Sequence, residues 1–248
     1  MAAAPRATLA GDGYHSVMGV AGAALLPFFS TREARALRLV SSECLRAVAR
    51  HPWADRKTVI LGSVAAWRAG FPCAKAANVR GFLIAERRYR LTPIVDADFV
   101  HFEGLQELDM SFCREVTDAA FVHLKGIRKL NIWGCYQDTI TDAAFAHLKG
   151  IRTLDMLWCR QTTITDAAFA HLKGIHALDM SGCRQATITD AAFAHLKGIH
   201  TLDMRGCNQA TITGAAFAQL VGIDSIRMLD CSAAAIAAAR AAGLRVRL

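Results

Sequence analysis

Apolar positions recur along most of this chain with a period too long for any single helix or strand. Phe stands at positions 99, 121, 145, 169, 193 and 217, and Cys at 113, 135, 159, 183, 207 and 231, each series stepping first by 22 and then by 24 residues. The heptapeptide FAHLKGI is identical at 145, 169 and 193, and TITDAA at 139, 163 and 187. Six copies of one unit follow, and a period of this length marks a stacked repeat. Within a unit the pattern is apolar-x-x-Leu-x-Met/Ile-x-x-Cys, as in Ile175, Leu178, Met180 and Cys183. Leu178-Asp179-Met180 alternates inward and outward, which predicts a short half-buried strand. In TITDAAFAHLKG, Thr189 or Asp190 caps a helix start, Phe193 and Leu196 form its inner face, and Gly198 supplies a left-handed stop. Parallel strands stack about 4.8 Å apart, whereas packed helices need about 8 to 10 Å. The stack must therefore curve, with the strands on its concave side.

This spacing is that of a leucine-rich repeat, and the block from Phe99 to Cys231 resembles the cysteine-containing subtype, with its Ile-Thr-Asp opening, spaced apolar slots and closing Cys. The turns are shorter than that subtype's usual length. The fold class expected is α/β, a horseshoe-shaped leucine-rich repeat solenoid with an α-helical N-terminal segment. Ala74, Ala77, Val79 and Phe82 fall in the slots of a degenerate first turn, Ala233 to Ala242 reads as a last helix, and Leu244 to Leu248 as a final strand. The organisation expected is a tail over 1–13, a helical segment and linker over 14–70, and the repeat domain over 71–248. That domain divides into a first turn at 71–98, regular turns at 99–231 and a cap at 232–248.

Ahead of the repeats, Ser30-Thr31-Arg32-Glu33 is a capping box, after which Leu37, Val40, Cys44 and Val48 recur at helical spacing until His51-Pro52. One helix of about 20 residues is expected there, preceded by an apolar helix from Tyr14 to Phe29. The stretch from Leu25 to Trp53, with Leu-Arg-Leu-Val-Ser at Leu37 to Ser41 and a closing Trp, is similar to the second half of an F-box; the family's opening Leu-Pro-x-Glu helix is missing. The resemblance implies docking on the adaptor of a cullin-RING ubiquitin ligase, with Leu25, Leu26, Phe28, Leu37, Leu39, Val40 and Leu45 as adaptor-binding residues and the repeats holding a protein substrate. An outward apolar patch of Leu25, Leu26, Phe28, Leu39 and Leu45 would imply a partner. Packing of these residues on the first repeat would instead make the segment a cap.

Composition narrows the classes further. The longest apolar run, Val17 to Phe29, has 13 residues and contains Pro27, short of the roughly 18 to 20 that span a bilayer. Read as the core of a signal peptide before Ala34-Arg35-Ala36, it follows a long and nearly neutral start, which favours cytosol or nucleus over secretion. The 46 Ala residues imply small-residue packing. Eight Cys without CxxC or HExxH spacing point to neither a disulfide framework nor a metal site. Residues 1 to 92 hold 14 Lys/Arg against 5 Asp/Glu, and the remainder 15 against 16, so the net charge of +8 resides in the N-terminal third. A nucleic-acid tether built on that segment is a rival reading, but stretches such as Arg87-Arg88-Tyr89-Arg90 read as a solvated connection.

No nucleophile–base pair or phosphate loop is present, so neither an enzyme nor a cofactor is expected. The Cys column reads as core packing, and the His column (His101, His123, His147, His171, His195) lies on the outer helical face at a spacing too wide to share one metal. The concave strand positions carry more information. They read Asp109, Asn131, Asp155, Asp179, Asp203 and Arg227 at the centre, with Ser111, Trp133, Leu157, Ser181, Arg205 and Leu229 on one flank, and Trp158 next to Leu157. Glu107, Lys129, Thr153, Ala177, Thr201 and Ser225 form the other flank. The flanks differ in nearly every turn while the outer His and Lys of turns two to five do not, which predicts a diversified protein-binding surface on a copied scaffold. The site residues expected are Asp109, Asn131, Trp133, Asp155, Leu157, Trp158, Asp179, Asp203 and Arg205.

Overall fold

The Leu slot of each turn is paired with the Leu slot of the next, through Ala77, Leu108, Leu130, Leu154, Leu178, Leu202, Ile226 and Val246. In the computed structural model, which describes residues 25–83, 88–89 and 92–248, this register builds one parallel sheet of eight strands. Its members are β1 (Ala76–Asn78), β4 (Glu107–Asp109), β5 (Lys129–Asn131), β6 (Thr153–Asp155), β7 (Ala177–Asp179), β8 (Thr201–Asp203), β9 (Ser225–Arg227) and β10 (Val246–Arg247). A separate hairpin joins β2 (Phe82–Leu83) to β3 (Arg88–Tyr89). The expected tail over 1–13 and most of the expected first helix lie outside the described residues.

The convex layer is tighter than one short helix per turn. Asp118–Phe121 makes a single α-helical turn and Val122–Leu124 continues it as a 3-10 turn, a pairing repeated at Asp142–Leu148, Asp166–Leu172 and Asp190–Leu196. The Phe of each turn is fully buried, and so is the Ala before it. A methyl group at that point lets successive turns approach closely.

Polar ladders tie turn to turn. Thr189 caps its own helix by accepting from Ala191 N–H, while its N–H and hydroxyl donate to the carboxylate of Asp166 one turn earlier, at 2.7 and 2.6 Å. The same relation links Thr117 to Asp96, Thr141 to Asp118, Thr165 to Asp142 and Thr213 to Asp190, and it stops where Gly214 takes the Asp position. Each Cys of the column donates its thiol to a backbone carbonyl of the preceding turn, as Cys183 does to Met156 at 3.2 Å. Burial pushes the Cys135 and Cys207 thiols up to about 12 and those of Cys159 and Cys183 well above the ordinary value. These thiols are packing groups and weak donors rather than nucleophiles.

At the N-terminus the single long helix is replaced by two, α1 (Thr31–Leu37) and α2 (Ser42–Arg50). Ser30 and Glu33 close the expected capping box, but Ser41 caps a new start by accepting from Cys44 N–H at 3.1 Å. A serine that offers the backbone this alternative partner, just after the β-branched Val40, is where the helix breaks. Both helices bond to the linker that follows them, and the linker bonds to the first turn. Asp55 accepts from Thr31 N–H and hydroxyl at 2.8 and 2.9 Å, Trp53 donates its indole N–H to the Val48 carbonyl at 2.8 Å, and Lys75 and Ala76 donate to the Trp53 carbonyl. At the far end Ala233–Ala241 forms the last helix and β10 the last strand.

Candidate functional site

The central concave column has a backbone task that the pattern of charges conceals. Asp109, Asn131, Asp155, Asp179 and Asp203 each accept, through Oδ1, the N–H two residues ahead, at 2.8 to 3.3 Å. This turn ends each strand and sends the chain toward the convex side. The carboxylates of this column keep further acceptor positions for other partners. Asp109 meets Arg80 at 2.9 Å, and Asp203 meets Arg205 at 2.8 Å and Arg227 at 3.4 Å. Burial works to raise the Asp203 carboxyl, but hydrogen bonds from Arg205 and Ser181 outweigh it and hold it below its ordinary value.

Between these two neutralised ends lie Asp155 and Asp179, paired in register, with no cation bonded to either among the described residues. Burial, followed by the charges of Asp179, Asp109 and Asp203, pushes the Asp155 carboxyl up to about 6 against the hydrogen bond from Leu157 N–H. On the neighbouring column Glu107 is held by Arg56 at 3.0 Å and Lys129 at 2.8 Å.

The expected outward flank is not uniformly outward. Ser111 and Ser181 are buried, because their small hydroxyls turn in to bond the carboxylates of Asp109 and Asp203, at 2.7 and 2.8 Å. Trp133 and Leu157 are half-buried, and Arg205 and Leu229 are exposed. Trp158 stands beside them, 47% exposed.

An aromatic edge runs along the ends of the strands, and only part of it was anticipated from the strand positions. Phe112 and Trp133 have ring centroids 4.8 Å apart, and Trp133 and Trp158 6.2 Å apart. Phe112 and Trp158 occupy left-handed backbone, at φ 58° and 59°, a position filled in sister turns by Gly134, Gly182 and Gly206. Aligning the copies shows that column directly: Phe112, Gly134, Trp158, Gly182, Gly206, Asp230. A side chain at Gly134 would run into the Phe112 ring, and one at Gly182 into the Trp158 ring. Each aromatic thus lies across the glycine of the next turn.

A trough of about 1010 Å³ lies between β4–β6 and the N-terminal segment, with Asp109, Asn131 and Asp155 on its strand side and Phe28, Phe29 and Trp53 opposite. This separates the residues expected to form one adaptor patch. Leu26 is buried and so closed to a partner, and Leu37 is half-buried against the core. Phe28 is 83% exposed and borders the trough. Leu25, Leu39, Val40 and Leu45 are exposed, Leu39 at 89%. Among the described residues no cluster of His, Cys, Asp and Glu is arranged to hold a metal, and no helix is long and apolar enough to cross a membrane.

No family model and no curated protein matches the chain. Among solved structures it is similar to that of the TLR13–ssRNA13 complex, with a TM-score of 0.56 and 19% identity over 79% of this chain and 28% of that one. It is also similar to a leucine-rich repeat protein of Leptospira interrogans (TM-score 0.54, 14% identity, 76% of this chain and 52% of that one). Human trophoblast glycoprotein gives a TM-score of 0.51 at 19% identity, over 73% of this chain and 68% of that one. The chain spans about a quarter and about half of the first two. Identities this low convey the fold, and the fold is a leucine-rich repeat solenoid.

Proposed function

We propose that this chain is a protein-binding scaffold that holds a partner on the concave face of its repeats, and that it serves as the substrate-recognition subunit of a cullin-RING ubiquitin ligase. One observation carries the first half. Lys125, Lys149, Lys173 and Lys197 on the convex side are exposed and identical in four successive turns, whereas Trp133, Leu157, Ser181 and Arg205 on the concave side differ in every one. A scaffold whose convex Lys is copied through four turns while its concave flank changes in each is built to present that flank.

The ligase half rests on the F-box resemblance and on the exposure of Leu39 and Val40, in the turn between the N-terminal helices, and of Leu45 on the second helix. Co-purification from a eukaryotic lysate, scored for adaptor and cullin, tests it. The wild-type chain should retain both and Leu39→Asp should lose both while keeping its circular dichroism spectrum. Undiminished recruitment by a folded variant removes the ligase assignment.

A second reading is favoured by the bonds of Lys75 and Ala76 N–H to the Trp53 carbonyl and of the Asn78 side-chain amide to the Arg56 carbonyl, which fasten the same segment onto the first turn as a cap. In that reading the chain is a free-standing binding module, and Leu39→Asp changes nothing.

A further inference from the structure

We propose that the aromatic edge of Phe112, Trp133 and Trp158, beside the Asp155–Asp179 pair, seats an extended segment of a partner protein through an arginine or lysine side chain. The proposal rests on the reading that the concave face is the binding surface and adds the chemistry of what is bound.

The aromatic edge comes first. Phe112 and Trp158 hold positive φ at a position that the same chain fills with glycine in three other turns. Bulky residues in the left-handed region persist where something beyond local stability keeps them there. Core filling does not account for Trp158, since nearly half of it stays in solvent. With Trp133 between them, at 4.8 and 6.2 Å, the two rings make a continuous aromatic border over three turns. Large aromatics of this kind anchor protein interfaces at small entropic cost.

Charge selects the occupant. The chain supplies its own cations to Asp109 and to Asp203, at the two ends of the carboxylate row, and among the described residues none forms an ion pair with the register pair between them. A guanidinium or ammonium placed there satisfies two carboxylates and meets the negative faces of the indoles. The elevated pKa of Asp155 has the same origin, a half-buried charge with like charges beside it. A phosphate backbone meets the opposite field at this point, so a nucleic acid fits it poorly.

The test pans a displayed library of random peptides on the full chain and measures the selected peptides by calorimetry against wild type, Trp158→Gly, Asp155→Asn and the convex variant Lys173→Gln. Trp158→Gly restores the residue that sister turns carry at this position, so it keeps the backbone intact. The selected peptides should carry Arg or Lys beside an apolar residue. Their affinity should fall roughly tenfold or more in Trp158→Gly and in Asp155→Asn, stay unchanged in Lys173→Gln, and weaken as salt rises. Selection of no peptide, of peptides without a cation, or of cationic peptides indifferent to both variants overturns the proposal, as does tighter binding of single-stranded oligothymidine to Asp155→Asn than to wild type with no peptide competing. Uncharged peptides that still depend on Trp158 would overturn the chemistry and leave the concave surface standing. Dependence on Lys173 alone would remove the concave surface as well.

Discussion

The indole of Trp158 lies across the α-carbon of Gly182, its own counterpart one turn further along the solenoid. Two residues of one column thus play opposite parts, one supplying a ring at a cost in backbone strain and the other clearing the space beneath it. Gly182 is at φ 69° and Gly174 at φ 80°, so alanine at either pays the left-handed penalty, but only the former meets an aromatic ring. Gly182→Ala should therefore lose about 1 to 3 kcal/mol more than Gly174→Ala, and the excess should vanish in a Trp158→Gly background. Chemical denaturation of the cycle measures the coupling.

The two buried columns differ in what they hold. Phe169→Ala removes a fully buried ring and should cost about 3 to 5 kcal/mol. Cys183→Ala removes a much smaller group and one weak thiol–carbonyl bond, so its loss should be well below that. Equal losses in denaturant would mean that the thiol column carries more than packing.

Asp166 receives both the N–H and the hydroxyl of Thr189, two charge-assisted bonds that couple adjacent turns. Asp166→Ala should destabilise by about 1.5 to 3 kcal/mol. Hydrogen exchange should show the loss of protection centred on the turn that begins at Thr189 rather than spread over the chain. A uniform loss contradicts the ladder.

Asp155 sets a pH dependence of definite sign. Its folded-state pKa is raised, from 3.8 to about 6, so between those values the folded chain binds more protons than the unfolded one. Stability from this group is greatest below that window and falls as pH rises through it. Asp155→Asn retains an acceptor for Leu157 N–H and removes the charge. It should stabilise the protein at neutral pH by something on the order of 1 kcal/mol after solvent screening and leave it unchanged at acid pH. Denaturation at the two pH values decides, and equal effects at both would refute the account of the carboxylate row.

Much of this architecture is legible in the sequence because a solenoid repeats its local rules. The Phe, Leu, Met and Cys slots recur at fixed spacing, and the structure buries nearly all of them, Cys231 being half-buried. The Thr-Asp pair was legible as a helix start, but its bond to the next turn depends on stacking and has no signature within one unit. The break at Ser41 leaves no mark on the pattern, because the helical periodicity of Leu37, Val40, Cys44 and Val48 continues through it while a local cap ends the hydrogen-bond ladder. Burial of Ser111 and Ser181 follows from bonds to carboxylates on the same face, which alternation along a strand does not encode. The left-handed column of Phe112 and Trp158 was visible in an alignment of the copies, yet it escapes a reading that treats only strand positions as the surface.

Whether the concave face is the partner's surface is decided by placing a photo-crosslinking amino acid at Leu157 on that face or at Lys173 on the convex face of the full chain expressed in eukaryotic cells. Irradiation should give discrete higher-mass adducts from position 157 and none from position 173. Adducts from position 173 alone would contradict the claim.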